Sequence, residues 1–158
     1  MKTLLLGLGN DLLTDDSVGL LVAAALRERL ASQTDLTVLS SAEMGLSLLD
    51  LVTGFDTVAI VDAVQTGQSP PGFVHELDDT SLPSAPAISP HFVGIGEALA
   101  LGRQLGLPVP RQVLIFGVEV QDPFTVGTHL TPALAAALPG IVERIASRLL
   151  EKTLNSAR

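Results

Sequence analysis

Three places in this sequence carry side chains able to hold a metal or move a proton. Asp15 and Asp16 stand side by side shortly after an apolar run, Asp62 follows a second run, and His91 follows Pro90. Two carboxylates and one imidazole make a mixed oxygen and nitrogen ligand set that leaves coordination positions open. A carboxylate is also a general base for water. A helix N-terminus at His91 disfavours imidazolium and helps keep the ring neutral for coordination. By type alone each residue has a plainer reading. Asp15 or Asp16 caps the following helix, Asp62 forms a turn, and His91 sits on the surface of a first helical turn. No cysteine is present, which excludes thiol nucleophiles, disulfides and thiolate metal sites. His75 and His129 stand alone, and His75-Glu76 lacks the second histidine of a zincin helix.

The elements that must position these groups alternate between strand and helix. Thr3 to Leu8 is an apolar run closed by Gly9-Asn10, a buried strand and its turn. Val18, Val22, Leu26 and Leu30 recur at helical spacing over Ser17 to Leu30. Leu36 to Ser40 reads as a short strand and Leu46 to Val52 as a short helix. Thr57 to Val61 is apolar throughout, the mark of a central parallel strand buried on both faces, and it is expected to end at Asp62 as a solvated strand-end acid. Five of the ten prolines lie between Pro70 and Pro90, so that stretch reads as loop with one edge strand, Phe73 to Leu77. Ser89-Pro90 and Thr131-Pro132 have the order of an N-cap followed by a first helical proline, and Gly106 has the place of a helix stop. Val113 to Val118 is a further strand. Pro139 is expected to kink or divide the last helix. Such alternation implies an α/β fold, a three-layer sandwich with a mostly parallel sheet. In such sheets sites form beyond the carboxyl ends of the strands, where Asp15-Asp16, Asp62 and His91 all fall.

Length and composition bound the rest. The chain has 158 residues, reads as a single domain over 1–158, and buries a full core without staples. A net charge of −8 and 3% aromatic residues match neither nucleic acid nor an anionic membrane. The longest apolar stretch, Leu20 to Leu26, falls far short of the roughly 18 residues of a membrane span. A cytoplasmic monomer is expected. Gly7-Leu8-Gly9 opens like a dinucleotide fingerprint, but Leu12 stands where the third glycine belongs, and two acids follow. A nucleotide-binding domain is therefore the weakest alternative.

One stretch, Gly7-Leu8-Gly9-Asn10-Asp11-Leu12-Leu13-Thr14-Asp15-Asp16, resembles the opening of the hydrogenase maturation proteases. Ile60-Val61-Asp62-Ala63-Val64, followed by Gly67 and Pro71-Gly72, resembles the family's central strand and loop. Ile88-Ser89-Pro90-His91-Phe92-Val93-Gly94 resembles its histidine segment. Phe116-Gly117-Val118-Glu119 and Leu130-Thr131-Pro132 resemble its last strand and helix start. The resemblance implies a five-stranded sheet and an endopeptidase, metal-dependent or aspartic in type. Such an enzyme removes the C-terminal extension of the nickel-loaded hydrogenase large-subunit precursor. It carries the family's metal-binding and catalytic positions onto Asp16, Asp62 and His91. Nickel then arrives with the substrate, and Zn or Cd can stand in for it in vitro. The sequence departs from the family in two places. The family's Asp-Gly-x-Thr-x-Gly loop is here Ser40-Ser41-Ala42-Glu43-Met44-Gly45, with Glu43 read as a solvated loop residue, and Ser17 replaces a glycine. The altered loop keeps a second reading open, a non-catalytic metal-checking or chaperone module on the same fold.

Overall fold

A computed structural model describes residues 1–78 and 90–156. Five strands form one sheet: β1 (Thr3–Leu8), β2 (Leu36–Ser41), β3 (Thr57–Val64), β4 (Val74–Asp78) and β5 (Gln112–Glu119). Their order across the sheet is β2-β1-β3-β5-β4. The first four in that order are parallel, and β4 closes one edge antiparallel to β5. The sheet is therefore mostly parallel, and β3 lies at its centre. Every residue of β1 and of β3 is buried, as expected of central strands covered on both faces, and Asp62 is buried with them.

Helices cover both faces. On one face, Val18, Val22 and Leu26 of α1 (Val18–Arg29) and Leu134, Ile141 and Ile145 of α4 (Pro132–Ser156) pack on Leu5, Ala59, Val61 and Val118. On the other, Leu48 and Val52 of α2 (Leu48–Val52) and Phe92, Ile95 and Leu99 of α3 (Pro90–Gln104) pack on Leu4, Leu6, Ile60 and Ile115. The strand alternation that splits these two sets is the two-residue period of a pleated sheet.

Strand ends such as those of β2, β4 and β5 fall within one residue of expectation, and three features differ by more. β3 does not stop at Asp62 but runs to Val64, because its pairing with β5 continues through Asp62↔Gly117 to Val64↔Glu119. α4 is not divided at Pro139. The short helix over Leu46 to Val52 begins as a 3-10 turn, Gly45–Ser47, before α2. The expected stop of α3 is present: Gly106 has φ +69, and the Leu107 N–H reaches back 2.9 Å to the Gly102 carbonyl. Ser89, the expected cap of α3, lies outside the described residues.

Candidate active site

β1 sends its chain to β2 on one side, and the return from β2 passes β1 to reach β3 on the other. The connections leaving β1 and β3 diverge, so a crevice opens at their carboxyl ends. Asp62 sits on β3 two residues before that end. Its side chain faces the α2 and α3 layer, with Val58, Ile60 and Val64 on the same side of the strand. It is fully buried, and its Oδ1 accepts the Ala63 N–H at 2.9 Å. This corrects the expectation of a solvated strand-end acid. The ladder to β5 and the helices above remove it from water.

The turn after β1 brings the acidic pair to the same edge. The Asn10 Oδ1 accepts the Leu12 N–H at 2.9 Å, and the Asp16 Oδ2 accepts the Asn10 N–H at 2.9 Å. The turn folds so tightly that a Cβ at Gly9 would lie 2.1 Å from the Asp16 carbonyl oxygen, so only glycine fits there. Asp16 thus shapes the turn while remaining partly exposed at the crevice. The same bond explains why the Gly7-Leu8-Gly9 turn is not a phosphate cradle. The N–H at Asn10 is taken by the chain's own carboxylate, whose charge would repel a phosphate.

Adjacent Asp15 plays a different part. It is fully buried, and its carboxylate accepts the Gln121 and Asp122 N–H groups at 3.1 and 2.9 Å and the Thr131 N–H at 2.7 Å. The Thr131 hydroxyl also lies 3.0 and 2.8 Å from its two oxygens. Asp15 therefore fastens the turn after β1 to the loop that joins β5 to α4. The Thr131 hydroxyl, expected to cap α4, is directed to Asp15. Of the two acids, only Asp16 is left to face the crevice.

His91 lies in the first turn of α3, and its imidazole lies outside the described residues. Its neighbour Phe92 is buried in the core between α3 and the sheet. One turn onward, a Cβ at Gly94 would stand 3.0 Å from both Cα and N of Gly45. The missing side chain at Gly94 is what lets this loop lie directly on α3, whereas Gly45, retained at the end of the altered Ser40 to Gly45 loop, serves the turn itself with its φ of +64. Glu43 in that loop is exposed, as expected.

A third buried carboxylate carried no site reading in the sequence. Glu119 ends β5, 1% exposed, and accepts bonds from the Thr66 N–H at 2.8 Å, the Thr66 hydroxyl, and His75 Nε2 at 3.1 Å. Burial alone would raise its carboxyl. The bonds from Thr66, His75 and the Thr66 and Gly67 N–H groups overcome that and hold it below the ordinary glutamate value. His75 is thus engaged in closing the loop after β3. The pairing His75↔Gly117 across the sheet was the one available signal, and it needed the strand order.

A family profile described as hydrogenase maturation protease matches residues 20–148, a span that includes Asp62 and His91 and begins after Asp16. The chain is 29% identical to the Hydrogenase 2 maturation protease of Escherichia coli strain K12, over 96% of this chain and 92% of that one. Among solved structures, it is similar to the hydrogenase maturating endopeptidase HybD from E. coli, with TM-score 0.79 and 28% identity, covering 96% of this chain and 94% of that one. It is also similar to the [NiFe] hydrogenase maturation protease HybD from Thermococcus kodakarensis, with TM-score 0.69 and 25% identity over 94% and 99% of the two chains.

Proposed function

We propose that this chain, which belongs to the hydrogenase maturation protease family, is the peptidase that removes the C-terminal extension of a nickel-loaded hydrogenase large-subunit precursor. Asp16, Asp62 and His91 engage the nickel that the precursor brings. The observation that supports this most is the buried Asp62 at the crevice between β1 and β3, with the Asp16 turn folded to the same edge. A carboxylate kept out of bulk water at the carboxyl end of a central strand suits a metal or a reacting water.

In this reading the substrate's nickel marks the precursor as ready and draws the three side chains together. Water then adds to the scissile carbonyl carbon, a site carboxylate takes its proton, and the C–N bond breaks as the leaving amine gains one. Zn or Cd, having suitable affinity for oxygen and nitrogen ligands, takes the same three positions in vitro. We take the chain to act as a monomer in the cytoplasm. No helix among the described residues is long and apolar enough to cross a membrane.

The test is mass spectrometry of the purified nickel-loaded precursor after incubation with this chain. Loss of a C-terminal fragment is expected, with none from the nickel-free precursor. Asp62→Asn keeps the shape of the buried side chain and removes its charge. It is expected to abolish cleavage while circular dichroism stays that of the wild type. Undiminished cleavage by that variant overturns the site assignment.

A further inference from the structure

The turn after β1 and the loop after β5 do more than meet at Asp15. Leu13 and Val126 form an antiparallel bridge, the Thr14 N–H bonds the Thr125 carbonyl at 2.9 Å, and the Gly127 N–H bonds the Leu12 carbonyl at 3.0 Å. The two segments form a short ribbon standing on the carboxyl edge of the sheet, next to Asp16. Its side chains are turned outward against their nature: Leu12 is 62% exposed, Phe124 75% and Val126 81%. The ribbon is held firm from beneath by Asp15 and at its tip by Asp122. Bonds from the Thr125 hydroxyl and from the Thr125 and Phe124 N–H groups hold the Asp122 carboxyl below its ordinary value.

Charge is segregated in the same direction. None of the nine lysines and arginines lies in the connections that leave the carboxyl edge at 9–17, 42–47, 65–73 or 120–131, whereas Asp11, Asp15, Asp16, Glu43 and Asp122 do. The ribbon is therefore a rigid apolar strip in a negative field, continuous with the crevice. Exposed apolar clusters of this kind mark interaction surfaces. Rigidity lowers the ordering cost of binding there.

We infer that the Leu12, Phe124 and Val126 ribbon is the surface on which the precursor docks, through an apolar segment flanked by lysine or arginine side chains. This rests on the proposed function above. The apolar tips supply affinity by burying aromatic and aliphatic area, and the acidic surround supplies orientation and a fast approach. Recognition of the folded precursor is thereby separated from the chemistry at Asp62.

The experiment measures KM and kcat for nickel-loaded precursor with the wild type, with Phe124→Ser/Val126→Ser, and with Leu105→Ser. Leu105 is 63% exposed just past the end of α3, away from the carboxyl edge, and controls for loss of any exposed apolar side chain. The ribbon variant is expected to raise KM about tenfold or more, with kcat changed less than about twofold, while Leu105→Ser behaves as wild type. Raising salt from about 50 to about 500 mM is expected to weaken precursor binding by the wild type. Thermal unfolding confirms that each variant is folded. Ribbon-variant kinetics equal to wild type overturn this inference and leave the proposed function standing. So does a fall in kcat with KM unchanged, or a concentration-dependent dimer of the wild type that the ribbon variant abolishes. A wild type that binds no precursor and cleaves none overturns both.

Discussion

Removing the Asp15 carboxylate should cost fold stability, whereas removing the Asp16 charge should cost function, although the two acids are neighbours in sequence. In Asp15→Ala, three backbone N–H groups and the Thr131 hydroxyl lose their common acceptor. Each amide left without a partner costs about 1–3 kcal/mol. Gln121 is exposed and Asp122 and Thr131 are half-buried, so water reaches part of the vacated space and the lower figure applies to each. The loss is then about 3 kcal/mol. A chain of this length gains about 0.3 kcal/mol/K of entropy on unfolding, so the midpoint should fall by about 9 °C. Asp16→Asn keeps an oxygen for the Asn10 N–H and should stay within about 1 kcal/mol of wild type, yet lose metal binding and precursor cleavage. Circular dichroism melts give the first quantity and calorimetric titration with Zn²⁺ gives the second. An Asp15→Ala midpoint unchanged from wild type, or an Asp16→Asn variant that binds Zn²⁺ normally, refutes this division of labour.

Gly94 and Gly96 both lie inside α3, but a Cβ at Gly96 meets nothing within 4 Å whereas one at Gly94 meets the Gly45 backbone. Gly96→Ala should therefore add about 0.5–1 kcal/mol in urea unfolding, and Gly94→Ala should show none of that gain. Equal stabilisation by both would mean that the loop does not rest on the helix. The lowered Glu119 carboxyl has a pH signature. Stability gained from a depressed folded-state value is present above the ordinary carboxylate range and is lost as pH falls through the folded value. Urea midpoints between neutral pH and about pH 3 should fall less steeply for Glu119→Gln than for wild type, from a lower starting stability. Parallel curves would remove Glu119 from the acid transition.

Much of this was readable from the chain because the sheet is buried on both faces. Runs such as Thr3 to Leu8 and Thr57 to Val61 admit few other readings, and Pro-rich flanks marked β4 as an edge. Asp62 hid the end of β3, because an acid interrupts the apolar pattern while the backbone ladder to β5 continues beneath it. The parts of the site edge that depend on distant segments were not readable. Asp15 finds its partners at Gln121, Asp122 and Thr131, and Glu119 finds its own at Thr66 and His75. Residue type and local spacing are silent about which of two adjacent aspartates will be captured in this way.

The strand order also governs how the molecule comes into being on the ribosome. β2, β1 and β3 are contiguous in the sheet and complete by Val64, so this half can pair as soon as it is synthesised. β4 follows at once in sequence, but β5, its one strand neighbour among the described residues, begins at Gln112. Until then β4 lacks its sheet partner, and the open edge of β3 presents a largely apolar strand to any other nascent chain. Insertion of β5 between the two comes last among the strand pairings, because β5 is the last strand to be synthesised. A truncated chain ending before β5 would accordingly carry a sticky sheet edge, and a chaperone that guards this protein would be needed during that interval above all.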